Sequence, residues 1–569
     1  MAYITRKRIK GITYYYAEHR EWKNGKSRRK WQKYLGTIDK IINAIDNKNQ
    51  KPEYAIVFEL GGVSAYLDIA GEIGLVENIN SMLPKRDQGI TIGEYILIAA
   101  INRGLNAVSK RSMWSWFEDT ILINYFSHIK KKTLSSQRFW DNMSLIKEDM
   151  IAEIWQKIIY RVISVYNIDL SLISYDGTNF YTFISTFNIH CTIAQRGKNK
   201  QGRNNLRQVN YALFCSREDH IPLYFDVYQG NTHDSKEFNK VISRFKKVYS
   251  GTISNDSVIT IVFDKGNNSN DNIEQFDQTP FHFIGSLKLS DHKEIAMISN
   301  KDPLMKTFKH HKLEGIKAFR QKKIVYGKER TLIITFNNNL YNDQVRTVNN
   351  DIDKCVQRLS ELSLKLKDRA QGIIKKGKKP TINSVKKSVK DILKRQYMKN
   401  IIKVDYKEQN SIPLIDYTTD LEELAKLADT YLGKKIIFTD NHHWRTEDII
   451  IAYHSQYVIE DAFKETKDRK FGCWWPMYHY TDQKIKVHGL YCTITLLIRS
   501  LMSRKARQKG LTLSMVRMHN KLAGIKEVIN FYHKDKSAKM LKKNNTITKM
   551  DEVQKKLFDI FNIKKYITS

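Results

Sequence analysis

The sequence predicts an α/β protein: a mixed sheet carrying a large insertion, preceded by a β-ribbon and a helical region. Three stretches carry that prediction. In IDLSLISYDGTNFYTF, Leu170, Leu172 and Ser174 share the parity of Asp176, and the run ends in Asp-Gly, a turn signal, so Asp176 is expected at the rim of a sheet. In SVITIVFDKG, Val258, Ile259, Ile261, Val262 and Phe263 form a short apolar run suited to a central buried strand, closed by Asp264 with Gly266 two residues later. AYHSQYVIEDAFKETKDRKF reads as a helix: at roughly 100° per residue, Tyr453, Gln456, Glu460 and Lys467 fall near about 0°, 300°, 340° and 320° on the wheel. One narrow stripe then carries a phenol, an amide, a carboxylate and an ammonium. A solvated helix would spread its polar groups over a broad face, and a core helix would put Leu or Val on that stripe.

Along the chain, residues 1–45 predict a basic β-ribbon. Residues 1–36 hold eleven Lys plus Arg against two Glu, a net of nine positive charges, interleaved with Tyr3, Tyr14, Tyr15, Tyr16, Trp22 and Trp31. Asn24-Gly25 between TYYYAEHREW and SRRKWQKYL is a hairpin signal that brings Arg28, Arg29 and Lys30 onto a strand suited to phosphate contact. Residues 46–165 are helical in pattern, with EYILIAAINRGLNAVSKRSMWSWF the clearest stretch. Residues 166–290 hold both Asp strands, and 431–505 hold the Glu460 helix. Between them, 291–430 is too long for one strand-to-helix connection and predicts an inserted subdomain. There Ile352, Val356, Leu359, Leu362, Leu366 and Ile373 sit at roughly heptad spacing, and the run ending in Pro380 breaks the helix. A second basic helix carries Val385, Val389, Ile392 and Leu393 on one side. This helical hairpin reads equally as a charged surface pair or as an arm that grips a polyanion or a second subunit. Residues 506–569 alternate amphipathic and lysine-rich segments and are expected to be helical.

Asp234, in YQGNTHDSKEF, reads as a helix N-cap with Glu237 as its capping-box partner. The pairs His310-His311 and His442-His443 read as surface residues.

Lys plus Arg 96 against Asp plus Glu 60 gives +36, a charge suited to a polyanion. Abundant Lys, Asn and Ile with only eight Pro point to an AT-rich genome, which inflates lysine on its own, so the charge is supportive only. The five cysteines show neither metal spacing nor a disulfide pattern, which predicts a reducing cytoplasm and no structural zinc. No G-x-x-x-x-G-K-[ST] loop occurs, which argues against ATP-driven chemistry, and neither a signal peptide nor a membrane-spanning run is evident.

Tyr453, Gln456, Glu460 and Lys467 have the spacing of the Tyr-Arg-Glu-Lys signature, and with Asp176 and Asp264 upstream the chain resembles the DDE transposases of the insertion-sequence-four superfamily, long-insertion branch. Three of the four signature positions match; the expected Arg is Gln456, which removes a bidentate phosphate contact. The Asp-x-Gly turn at Asp264 and the Gly230-Asn231 turn also match. So does the segment carrying Pro476, Tyr478, His479, Ile485 and His488, and LGKKIIFTDN, ending near Thr439, resembles the strand that returns to the sheet.

The resemblance implies a ribonuclease-H-like fold with a five-stranded mixed sheet. It implies Asp176, Asp264 and Glu460 as catalytic and metal-binding acids for two Mg²⁺ ions, with Mn²⁺ able to substitute. Tyr453, Gln456 and Lys467 would contact DNA near the transferred end. His479 and His488 are candidates for DNA contact, against the alternative of satisfied core histidines. The implied partners are double-stranded DNA, as terminal inverted repeats and target, and a second copy of the chain in a synaptic complex, in a prokaryotic cytoplasm. The implied activity is cleavage and strand transfer; the alternatives are a ribonuclease-H-like nuclease without strand transfer and an inactive DNA-binding derivative. Between residues 290 and 440 there is no Trp to hold a flipped base, and Tyr326, Tyr341 and Tyr397 are the aromatic substitutes.

Overall fold

The computed structural model describes residues 2–23, 25–48, 52–249, 258–469, 471, 472, 474, 475, 477–532 and 542–568. Asn24, Cys473 and Pro476 lie outside the described residues. Two compact units form: Met1–Asp68 with Trp114–Lys130 and Leu513–Ser569, and Ile69–Met113 with Lys131–Thr512. The stretch 46–165, expected as one helical domain, is divided between them.

In the first unit, β1 (Ala2–Ile9), β2 (Ile12–Lys23) and β3 (Lys26–Gly36) make an antiparallel sheet in that order. The expected hairpin gains a third strand because Lys10 and Gly11, both at positive φ, reverse the chain tightly between Ile9 and Ile12. β4 (Tyr54–Glu59) pairs antiparallel with Lys526–Tyr532, which pairs in turn with Lys542–Ile547. The C-terminal region is therefore not all helical. EVINFY carries β-branched and aromatic residues that favour a pleated surface, and the helices Met515–Ala523 and Glu552–Ile560 flank the two strands.

The second unit is built on β5 (Leu172–Thr182), β6 (Gln195–Arg196), β7 (Arg207–Ser216), β8 (Pro222–Gln229), β9 (Thr260–Val262), β10 (His282–Leu287), β11 (Lys306–Thr307), β12 (Ile316–Val325), β13 (Lys328–Asn337), the separate hairpin β14 (Ile402–Gln409) and β15 (Ile412–Thr419), and β16 (Lys434–Thr439). Ten of these join one mixed sheet in the order β11-β12-β13-β16-β10-β9-β5-β7-β6, with β8 on β7. Five strands were expected. β8, β7, β5, β9 and β10 are contiguous, and the β12–β13 hairpin, closed by Tyr326 and Gly327 at positive φ, joins β16 to widen the sheet.

Part of the 291–430 stretch thus belongs to the sheet. The rest is a subdomain with its own core, in which Leu359 and Leu366 meet Val385, Val389, Ile401 and Ile415. Its long helix, Asn338–Ala370, starts where the Asn337 side chain accepts from the Leu340 N–H at 3.0 Å. It stops at Ala370, so Ile373, the last position of the expected apolar repeat, lies off the helix and is exposed. The helix Asp482–Gln508 is apolar and long enough to cross a membrane, yet 94% of its apolar window is buried within the protein, so core packing accounts for its composition. Cys191, Cys215, Cys355 and Cys492 are free thiols.

The subdomain core gives a paired prediction. Leu359→Ala, at a fully buried position, is expected to cost about 2–5 kcal/mol in urea denaturation. Leu364→Ala, on the exposed side of the same helix, is expected to stay within about 0.5 kcal/mol.

Candidate active site

β9 is three residues long and lies between two parallel neighbours. Ser174, Val262 and Ile284 form one row across β5, β9 and β10. Asp176, Asp264 and Ser286 each follow that row by two residues. Asp176 lies on β5 and Ser286 on β10, whereas Asp264 lies two residues past the end of β9 with its backbone still extended; Asp264 and Ser286 line one cleft at the carboxyl ends of the parallel strands. The Ser286 hydroxyl donates to Asp264 Oδ1 at 3.4 Å, a long contact that fits this placement.

Asp176 is not at the end of its strand, as the Asp-Gly signal suggested. β5 continues to Thr182, paired with β7 throughout. Gly177 serves a close approach instead: a Cβ there would lie 3.3 Å from Asp234 Cγ. Burial pushes the Asp176 carboxyl up to about 6, with Asp234 and Asp264 adding to the rise. Lys200 and the Gly177 N–H, which donates to Oδ1 at 2.7 Å, oppose it.

Asp234 does not act as the expected N-cap. It is the first residue of the helix Asp234–Tyr249, and the turn before it is held by His233, whose Nδ1 accepts from the Ser235 N–H at 3.4 Å. The Asp234 carboxylate accepts from Tyr228 OH at 2.9 Å and lies 3.8 Å from Lys200 Nζ.

The predicted single helix is two helices, Thr446–His454 and Tyr457–Lys467. Ser455 and Gln456 keep right-handed helical dihedrals, but hydrogen bonding tightens to a three-residue step, with Gln456 N–H donating to Tyr453 O at 3.3 Å. The Ser455 hydroxyl turns back onto Ala452 O at 2.6 Å. Across this joint Tyr453, Gln456 and Glu460 still face one cleft of about 720 Å³, shared with Asp264, Ser286 and Lys435. Burial, with the charge of Asp264, pushes the Tyr453 phenol up to about 12. Lys435 Nζ stands 5.8 Å from its ring centroid. Lys467 lies on the Asp176 side, donating to Thr178 Oγ1 at 2.5 Å. Its ammonium is lowered to about 8, first by burial and then by Lys200.

His488 is fully buried, and its ring bonds Trp474 O at 2.8 Å and His479 Nε2 at 3.1 Å. The expectation that it contacts DNA is corrected: it is a satisfied core histidine. His479 packs on Trp140 with centroids 4.4 Å apart and belongs to the same cluster, outside the cleft. Arg28, Arg29 and Lys30 lie exposed on β3, with Arg29 3.1 Å from Glu18 and Lys30 2.5 Å from Glu21. Lys200 was missed by sequence reading; the only signal is the Gly, Lys and Asn content of RGKNKQGRNN.

Carboxylates with no thiol or imidazole form the oxygen donor set that Mg²⁺ takes, and such an ion needs only one or two of them beside its waters. Asp176 and Asp264 are carboxylates of that type, near enough for the charge of Asp264 to raise Asp176, and Glu460 lines the cleft that also holds Asp264. Among the described residues no three His, Cys, Asp or Glu side chains are close enough to hold an ion together.

The model of a family described as "Transposase DDE domain" matches residues 168–498, more than half the chain. The chain belongs to that family. No curated protein matches. Among solved structures, a cryo-EM structure of the piggyBac transposase synaptic complex with hairpin DNA is similar over 81% of this chain and 79% of that one, at 9% identity and a TM-score of 0.39. So loose a likeness adds nothing to the assignment. As a member of the family the chain is a transposase-type enzyme, and its match spans both Asp strands, the insertion and the Glu460 helix.

Two predictions follow from the charges. With its carboxyl at about 6 rather than the ordinary range, folded Asp176 carries a disfavoured charge above that pH, and below about pH 4 it is protonated whether folded or not. Asp176→Asn is therefore expected to stabilise the metal-free transposase by roughly 1–2 kcal/mol at pH 8 and not at pH 4, read by urea denaturation in chelator. Equal stabilities at pH 8 would contradict the buried charge. The Lys467 ammonium is lost as pH rises through about 8; were Lys467 to contact DNA, Lys467→Arg would retain affinity to higher pH than the wild type in a pH series of binding isotherms.

Proposed function

We propose that this chain is the transposase of an insertion sequence in the long-insertion branch of the insertion-sequence-four superfamily, which binds the ends of its element and carries out divalent-metal-dependent DNA cleavage and strand transfer. The observation that supports the reading is the placement of Asp176 on β5 and of Asp264 two residues past β9, at equal offsets from one row of these parallel strands, with Glu460 on the cleft beside Asp264. On this reading β8, β7, β5, β9 and β10 are the ribonuclease-H-like core, and Asp176, Asp264 and Glu460 would hold two Mg²⁺ ions, for which Mn²⁺ would substitute. When bound, such a pair activates the attacking oxygen and stabilises the leaving one.

The chain's own residues bind and orient the DNA. Lys467 offers an ammonium beside Asp176, Tyr453 is fixed by packing at the cleft wall, and Gln456 gives a neutral hydrogen bond where a guanidinium would give two. Arg28, Arg29 and Lys30 on the ribbon supply phosphate contacts away from the cleft. Water attacks the phosphorus at the element end and displaces the 3′ oxygen, which leaves as a 3′-OH; that hydroxyl then attacks a phosphorus of a second strand and displaces that strand's 3′ oxygen, so each transfer makes one P–O bond and breaks one and no covalent enzyme intermediate is needed. The partners on this reading are the terminal inverted repeats, target DNA and a second copy of the chain, in a prokaryotic cytoplasm at the nucleoid.

The test uses duplex DNA of the sequences flanking the gene on both sides, with Mg²⁺, and compares wild type with Glu460→Gln. The wild type is expected to cut and join while the variant only binds. Equal activity would remove Glu460 from the site. Cutting without joining of pre-cut ends would favour a nuclease, and binding without any cutting an inactive derivative.

A further inference from the structure

The loop between β6 and β7, residues 197–206, carries Lys198, Lys200 and Arg203 at its exposed surface and is nevertheless held in a single shape from beneath. Asn199 is buried: its Nδ2 donates to Gln208 Oε1 at 2.8 Å, and its Oδ1 accepts from the N–H groups of Gln201 at 2.8 Å and Arg203 at 3.2 Å. Asn179 on β5, also buried, donates to Lys198 O and accepts from the Lys200 N–H, both at 3.1 Å. Gln208 Nε2 reaches on to Gly230 O at 2.7 Å. Two glycines permit the packing: a Cβ on Gly197 would lie 2.6 Å from Gly230 O, and one on Gly230 would lie 1.9 Å from Gln208 O. Burying amides is costly unless they are bonded, and these bonds specify the loop rather than the hydrophobic core.

What the loop delivers is Lys200. Its Nζ donates to Gly177 O at 2.5 Å, directly after Asp176, and stands 3.8 Å from Asp234, beyond hydrogen-bond distance. The side chain is 47% exposed, so that ion pair contributes little to stability. An ammonium has three donors, and the carbonyl takes one. Lys467, bonded to Thr178, flanks Asp176 from the helix side and is close enough to feel the charge of Lys200. Two cations therefore bracket an acid on β5, and one of them rides on a loop fixed in advance.

We propose that this loop is a preformed phosphate clamp, in which Lys200 binds a backbone phosphate of the DNA strand entering beside Asp176. The inference rests on the transposase reading and deepens it by assigning a strand-contact residue that the signature does not contain. Asn199, Asn179 and Gln208 act as positioning residues for it.

The test uses the full chain and duplex DNA of the sequences flanking the gene on both sides. Affinity is measured against salt concentration in Ca²⁺, and cleavage in Mg²⁺, for wild type, Lys200→Gln, Lys200→Arg and Asn199→Ala. Removing one phosphate contact lowers the slope of log affinity against log salt by about 0.9. Lys200→Gln is expected to show that loss and to cleave about ten-fold more slowly, Lys200→Arg to restore the slope, and Asn199→Ala to slow cleavage with Lys200 still present. An unchanged slope in Lys200→Gln would overturn the clamp, as would a Lys200→Arg variant that behaves like the Gln variant. If the wild type binds but never cleaves, the transposase reading fails, while the salt slopes still decide whether Lys200 touches phosphate.

Discussion

The site depends on one constraint: β9, the strand that leads to Asp264 and lies between β5 and β10, is only three residues long. β9 is hydrogen-bonded on both sides through Val262 and then leaves the sheet, whereas β5 runs on for eight residues with β7 as its ladder partner. A crevice therefore opens at the carboxyl ends of the parallel strands, where α/β sheets receive ligands. Its rim carries Asp176, Asp264 and Ser286 at equal offsets from one row. The freed edge of β5 is taken by the segment that follows the Glu460 helix: Trp475 Nε1 donates to Tyr181 O at 2.9 Å and Thr182 Oγ1 to Met477 O at 3.1 Å. The early departure of β9 thus makes room for the acids and for the element that brings the third one near.

How much of this was legible in the sequence differs residue by residue. The apolar run ending at Asp264 marked a buried strand because its residue types and length are local properties. The Asp176-Gly177 pair gave the strand but not its extent, since a glycine that makes room for Asp234 looks in sequence like one that turns the chain. Asp234 was read as a cap because spacing to Glu237 is visible, while its contacts with Tyr228 and Lys200 are set by strands that meet only in the fold. The polar stripe from Tyr453 to Lys467 was visible, but the tightened joint at Ser455 was not; no Pro or Gly marks it. The widened sheet escaped because the β12–β13 turn uses Tyr326-Gly327 rather than Asn-Gly. The β14–β15 turn, with Asn410 and Ser411 both at positive φ, left a faint signal that periodicity in the flanking strands did not reinforce.

Glu460 is joined to the pair of Asp residues by packing rather than by strand register. Its helix is anchored below by Val458, Ile459, Ala462 and Phe463, all buried, and at its C-terminal end by Lys467 on Thr178. The tightened turn before it lets the Thr446–His454 helix pack Ile449, Ile450 and Tyr453 against Ile437 of β16 and Val262 of β9, in one core. A continuous straight helix would carry Tyr453 and Glu460 on one rigid rod. The joint instead lets each helix seat its own apolar face, and both polar ends still meet the cleft.

The electrostatics of the free site are unfavourable in both signs. Asp176 is destabilised as a carboxylate by burial and by Asp234 and Asp264, and Lys467 is destabilised as an ammonium by burial and by Lys200. Each crowding has partial internal relief, since Lys200 favours the charged form of Asp176 and Asp176 that of Lys467. That relief is incomplete, because both groups remain shifted toward neutrality. A fold selected for stability alone would replace such a cluster with well-packed apolar groups. On the proposed function, ions of opposite sign would remove both penalties together: a divalent cation among the acids, and a phosphate diester between the lysines. Each would bind better in the presence of the other, because a phosphate drawn in by the lysines adds oxygen ligands for the cation, and the cation neutralises the acids that repel the phosphate. The net charge of +36 suits a polyanion at long range, but it is the local pairing of one carboxylate, Asp176, and one ammonium, Lys467, each shifted toward neutrality, that distinguishes this part of the protein from a lysine-rich surface.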